Sequence, residues 1–282
     1  MRKFFVFTFL AAAFLAVAVA SVARVPERLV VYSAPTLEGV SEDLAALYSG
    51  GLDVRVMGSV LAANLIKSGK VPDLFLTVDS ELKHGLNYRN EYVIGVYRQL
   101  LVCNGYETWW DALKEARISL ANPNIAPIGY RSLAAIYLLS EMEGLGIISE
   151  IQDRLNVSFS VEDGGLVIDA RSFTASGRFY ARDDLNGAYT LLQNGVVDCT
   201  FAHAPFVNQK NLWTTHNVIE LPEYARFQTE PPLKITAKLI GSEVVVSRFV
   251  AAAYSFTEKG DRLLSLLDKV DYSKYQIERM GG

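Results

Sequence analysis

Hydroxyl-bearing and small residues recur at three points where an apolar, strand-like run gives way to helical periodicity. YSAPTLEG places Ser33 and Thr36 after RLVVYSA. MGSVLAAN places Gly58 and Ser59 after VRVMG, and NPNIAPIGYRS places Pro127, Ile128, Gly129 and Tyr130 after ISLANP. The first turn of a helix carries unpaired N–H groups and the positive end of the helix dipole, so such junctions can hold an anion without any lysine. In an open α/β sheet they also lie where ligands bind, at the carboxyl ends of the strands. Each serine taken alone reads more simply as a helix cap. Three matching junctions in one chain point to a shared site.

Two side chains nearby add a charge and a titratable ring. Arg131 falls in the first helical turn after the third junction, where a guanidinium either grips an anion in bidentate fashion or pairs with an acidic neighbour. His203, in the strand-like VVDCTFAHA, either donates to an oxyanion or faces away as a half-buried strand histidine. With three histidines and two cysteines no metal-ligand spacing can be read, and neither a nucleophile elbow nor a Walker loop is present. No cofactor is expected.

Short apolar runs alternate with helical stretches along the chain. RLVVYSA (28–34), VRVMG (54–58), DLFLTVD (73–79), YRQLLVCN (97–104), ISLANP (118–123) and VVDCTFAHA (196–204) read as strands. Between them, helices open at Ser41, at Ser59, at a Thr108–Asp111 capping box, at the NPNIAPIGYRS turn and within RDDLNGAYTLLQNG (182–195). The segment 234–256 reads as strand or hairpin material, followed by an amphipathic helix in EKGDRLLSLLDKV. This alternation predicts an α/β fold, with sheets flanked by helices.

Length and charge narrow the function. The chain has 282 residues, half of them hydrophobic and 21% charged, enough for two lobes with substantial cores. A net charge of −4 with a pI near 5.5 excludes the basic footprint of a nucleic-acid binder. Arg2 and Lys3 precede an apolar run from Phe4 to Ala20 and then Ser21-Val22-Ala23, the order of a secretory signal peptide over residues 1–23. The other reading is an uncleaved N-terminal anchor. Either way the protein is expected to be exported, at the cell surface or in a periplasm-like space.

The span TWWDALKEARISLANPNIAPIGYRSLAAIYLL, with Asn122, Pro123, Pro127, Gly129, Tyr130 and Arg131, resembles the archaeal tungstate- and molybdate-binding proteins of ABC transporters. GSVLAANLIKSGKVPDLFLTVDS is similar to the Gly-Ser helix start and Pro-Asp strand of that family. The resemblance covers most of the chain after the leader. It implies the two-lobe type II solute-binding fold, with mixed sheets and a ligand cleft between the lobes. One lobe would take residues 27–100 and 205–282, the other 101–204. The implied function is a monomeric extracytoplasmic binding protein, not an enzyme, that carries a tetrahedral oxyanion to a membrane permease.

The departures from the family pattern are informative. Pro35-Thr36 stands where the family has Gly-Ser, which keeps a hydroxyl on Thr36. Ala126 and Ala202 fall where the family carries two metal-bonding carboxylates, with His203 beside the second. An oxyanion here would then stay an intact tetrahedral ion, held by hydroxyls and helix amides. The implied ligand set is Ser33, Thr36 and Ser59 from one lobe, and Ile128, Gly129, Arg131, Leu185 and His203 from the other. Another anion, a small polar organic ligand, a sensor role or an enzymatic role on the same fold remain alternatives. The resemblance also implies that the segments bearing Cys103 and Cys199 run side by side where the chain passes between lobes. They form either a disulfide or two buried thiols.

Overall fold

In the computed structural model, residues 28–280 are described. The expected signal peptide or anchor lies outside them, and no helix among the described residues is long and apolar enough to cross a membrane.

The chain begins with β1 (Leu29–Ser33), whose unbroken apolar run suits a strand covered on both faces. A 3₁₀ turn at Pro35–Leu37 leads into α1 (Glu38–Leu47). The helix opens earlier than expected because Pro35 presets the helical φ; Ser41 lies inside it and donates to the Glu38 carbonyl instead of capping. β2 (Leu52–Val56), α2 (Ser59–Lys67), β3 (Leu74–Thr77) and β4 (Asn90–Val96) follow. The N-cap of α2 is Gly58, not Ser59, so Ser59 is the first helical residue.

Tyr97 and Arg98 carry the chain into β5 (Gln99–Cys103), α3 (Trp109–Glu115), β6 (Ile118–Ala121), α4 (Pro127–Glu143) and α5 (Ile148–Leu155). Thr108 caps α3 by accepting from the Asp111 N–H, as the capping box requires. A hairpin of β7 (Ser158–Glu162) and β8 (Gly165–Asp169) turns at Asp163-Gly164, both with positive φ. Then come β9 (Phe179–Arg182), α6 (Leu185–Gln193), β10 (Cys199–His203), α7 (Ala204–Gln209), β11 (Asn217–Glu220) and α8 (Glu223–Arg226). The chain closes with β12 (Ile235–Leu239), β13 (Ser242–Val245), β14 (Val250–Ser255) and α9 (Glu258–Leu266).

Three sheets result. The first has the order β2-β1-β3-β14-β4, with β14 antiparallel to both neighbours. The second runs β11-β5-β10-β6-β9, and the third β13-β12-β8-β7. The first lobe is built on the first sheet, and the second lobe on the other two. The lobe boundary expected at residue 205 does not match this division. α7 packs back on the first lobe there, with Asn208 donating to the Lys274 carbonyl and Lys210, just past the helix, pairing with Glu38. β11 then adds to the free edge of β5, and the chain rejoins the first sheet only at β14.

α4 is buried almost all round, because it lies between the second and third sheets. That placement fixes its N-terminus at the cleft. On the second sheet, Cys103 and Cys199 stand directly opposite one another and are bonded, with Cα atoms 4.1 Å apart. The bridge is present, but at the far end of β5 and β10 from the crossing between lobes.

Candidate functional site

The three junctions do meet, at a cavity of about 10 Å³ between the lobes, the room of about one water molecule. Thr36 and Ser59 line it from the first lobe; Ile128, Leu185 and His203 line it from the second. Ala126 forms part of the wall beside Ile128.

Local chemistry explains each placement. The Pro35 turn at the end of β1 points Thr36 into the cleft, and Thr36 is only 3% exposed. The hydroxyl oxygen of Ser59 accepts weakly from the Val78 N–H at 3.4 Å, which leaves its own proton to spend. The next two amides of α2, Val60 and Leu61, donate across the cleft to the Ile125 carbonyl at 3.0 and 3.1 Å. That approach requires Gly58, since a Cβ there would lie 2.4 Å from the same carbonyl oxygen. In the second lobe, Asp184 caps α6 by accepting from the Gly187 N–H at 3.0 Å, so the Leu185 amide in the first turn has no partner within the helix.

His203 closes the cavity. Its Nδ1 is 2.7 Å from Thr36 Oγ1, a hydrogen bond that joins the two lobes. The ring packs edge-on against Tyr97 and Phe249, with centroids 5.1 and 4.6 Å away. Burial, and then the nearby Arg131 charge, push its pKa well below the ordinary histidine value, so the ring is neutral. Its Nε2 is buried without a hydrogen-bond partner.

Three of the eight expected ligand residues do not line the cavity. Ser33 is buried and donates to the neighbouring Ala34 carbonyl at 3.3 Å. Gly129 serves packing, because a Cβ there would lie 2.4 Å from the Ala121 carbonyl oxygen. Arg131 is fully buried and turned away from the ligand position. Its Nη1 donates to Asp79, which also accepts from the Tyr130 hydroxyl, and its Nη2 donates to the Ser247 carbonyl at 3.0 Å. Its guanidinium also lies 4.3 Å over the Phe249 ring. Burial opposes its charge, but the Asp79 carboxylate outweighs that and raises its pKa. Since Asp79 follows β3 and Arg131 is on α4, this is a buried ion pair between lobes. The DLFLTVD run contained the acid, but nothing local in the sequence tied it to an arginine 52 residues away.

Among the described residues, no group of three or more histidine, cysteine, aspartate or glutamate side chains is placed to hold a metal ion.

No family model matches the chain. Among solved structures, it is similar to the periplasmic molybdate-binding protein of Azotobacter vinelandii, at 14% identity and a TM-score of 0.53, over 90% of this chain and all of that one. It is also similar to the L-phospholactate-bound protein PEB3, at 9% identity and a TM-score of 0.54, over 90% of this chain and all of that one. The bromide-bound regulatory domain of HypT from Salmonella typhimurium matches at 12% identity and a TM-score of 0.52, over 87% of this chain and 97% of that one. At such identities the likeness concerns the fold. The chain has the two-lobe architecture of the periplasmic binding proteins.

Proposed function

We propose that this protein is an extracytoplasmic solute-binding protein that takes a tetrahedral oxyanion of the tungstate or molybdate type and delivers it to an ABC transporter permease. The observation that carries the reading is the convergence of the Thr36 and Ser59 hydroxyls and the first turns of α4 and α6 on one interlobe cavity. Donors from both lobes strengthen ligand binding only when the lobes are together, so binding favours closure. The cavity is too small for a tetrahedral oxyanion as it stands. The ion therefore reaches it with the lobes apart and meets the Thr36 and Ser59 hydroxyls as they close.

Ala126 in the wall offers no carboxylate to expand the coordination of a metal centre, so the ion stays tetrahedral and is held by hydrogen bonds alone. The ligands of three proteins sharing the fold (molybdate, L-phospholactate and bromide) are all anions, which supports this ligand class. The leader at residues 1–23 supports export. An enzymatic reading is disfavoured. Thr36 and His203 form a hydroxyl–imidazole pair, but no carboxylate bonds Nε2 to hold the ring with Nδ1 as the base. A sensor with the same pocket is the second reading, and the HypT regulatory domain shows that the fold serves regulators too.

A thermal-shift panel of tungstate, molybdate, sulfate, phosphate and phospholactate tests the proposal. Tungstate or molybdate at a hundredfold excess over Kd should add about 2.7 kcal/mol of stability. Sulfate should also stabilise, because hydrogen bonds alone discriminate weakly among tetrahedral ions. A panel in which phospholactate alone stabilises would replace the oxyanion with an organic ligand, and a flat panel would remove the proposal.

A further inference from the structure

Gln99 is completely buried, and both its amide oxygen and its amide nitrogen lack partners. It stands directly opposite His203 in the antiparallel pairing of β5 with β10. The Ala204 N–H donates to the Arg98 carbonyl, so Gln99 and His203 form the adjacent narrow pair, whose side chains share one face and approach closely. The His203 side chain, on that face, carries the unpartnered Nε2. A buried polar atom without a partner is costly, and two such groups side by side resolve the cost by bonding to each other, directly or through one water.

We propose that Gln99 is a positioning residue that donates to His203 Nε2, fixes the ring in its Nδ1–H tautomer, and so turns Thr36 into a hydrogen-bond donor towards the ligand. The inference rests on the anion-binding reading of the cavity. A neutral imidazole has one N–H and one lone pair. If Nε2 accepts from Gln99, Nδ1 must carry the proton and donate to Thr36 Oγ1. The Thr36 hydroxyl proton is then free, and an anion oxygen is what it lacks. In the opposite tautomer Thr36 would donate to Nδ1 and offer the cavity only lone pairs, which repel an anion.

The surrounding groups favour the first arrangement. Arg131 Nε is also buried without a partner, and it is a donor only. A Gln99 that donates to Nε2 keeps its oxygen as an acceptor on the same buried face. A Gln99 that accepts from Nε2 would strand its own N–H groups and add to the donors left unspent in the core.

The test is long-range ¹H–¹⁵N spectroscopy of the ligand-free protein, with the His203 signals assigned by their loss in His203→Gln. The expected wild-type result is a protonated Nδ1 and a pyridine-type Nε2. A protonated Nε2 in the wild type overturns the proposal without recourse to any variant. In Gln99→Glu, whose carboxylate only accepts, Nε2 should become protonated. In Gln99→Met, which folds without a buried charge, the two ring shifts should move towards each other as the tautomers mix; an unchanged ring would also overturn it. Tungstate should bind Gln99→Glu at least about tenfold more weakly than wild type, as expected when a donor to a charged ligand is lost. Wild-type protein that shows the expected tautomer but binds no oxyanion would strike the ligand reading and leave the Gln99–His203 relationship standing.

Discussion

Thr36 of the first lobe and His203 of the second are joined across the cleft by a hydrogen bond of 2.7 Å. Both residues line the interlobe cavity, so the latch and the ligand share the Thr36 hydroxyl. It also places a neutral imidazole in a dry, positively biased setting next to Arg131, Tyr97 and Phe249.

That setting makes stability depend on pH. The folded pKa of His203 is depressed below the ordinary 6.5, mainly by burial and then by Arg131, so the unfolded chain binds the extra proton first. The contribution is fully present above pH 6.5 and is lost as pH falls from there towards the folded value, at up to about 1.4 kcal/mol per pH unit. Urea melts across pH 7.5 to 4.5 should show this slope, and His203→Gln should flatten it. Equal slopes in the two proteins would show that His203 is not the group responsible.

Asp79 should matter to stability out of proportion to its size. Asp79→Asn leaves the fully buried Arg131 guanidinium without its counter-charge and weakens the Tyr130 contact. A loss of about 3–5 kcal/mol in denaturant melts is expected. A loss below about 1 kcal/mol would mean that the pair is solvated and not a tie between lobes.

The contrast between Asp79 and the caps shows what the sequence could reveal. Thr108 announces its helix because an N-cap acts within three residues of itself, as Asp184 and Thr257 do in the structure. The apolar runs of β1, β3, β5 and β6 are legible for a similar reason, since burial on both faces acts on consecutive residues. The Asp163-Gly164 turn is equally local, yet the hairpin does not stand out because β7, its first strand, is mostly exposed and carries only Phe159 and Val161 as apolar residues. At the site, Thr36, Ser59 and Ile128 are readable as junction residues, whereas Leu185 follows from the family resemblance. The fate of Arg131, the latch role of His203 and the burial of Gln99 depend on partners 52, 167 and 104 residues away in the chain, which no local pattern encodes.

The Cys103–Cys199 bridge should stabilise the second lobe without tuning the ligand site. With the two cysteines 96 positions apart in sequence, the loop-entropy relation gives about 4–5 kcal/mol. The double variant Cys103→Ser/Cys199→Ser should lose stability of that order and keep its ligand affinity, since the bridge is at the opposite end of the strands from Gln99 and His203. Thiol titration of unreduced, unfolded wild type should find neither cysteine of this pair free. Two titrating thiols would contradict the bridge.

Gly58→Ala should hold the lobes apart. The added methyl would meet the Ile125 carbonyl oxygen at 2.4 Å, a contact between backbones that neither lobe can relieve alone. Overpacking of this kind costs about 1–3 kcal/mol, so anion affinity should fall roughly 5- to 150-fold. Small-angle scattering of the ligand-free variant should report a larger radius of gyration than wild type. An unchanged radius with unchanged affinity would place the cleft elsewhere.

Calorimetry of tungstate and molybdate binding to wild type and Ser59→Ala tests the central claim most directly. Ser59 is the first residue of α2, it lines the interlobe cavity, and its hydroxyl proton has no other acceptor among the described residues. Removing that donor should cost about 1.5–3 kcal/mol of binding free energy with one site retained, the range for a hydrogen bond to a charged group. Equal affinity in the two proteins, or no heat from either oxyanion with wild type, would contradict the assignment of this cavity as an oxyanion site.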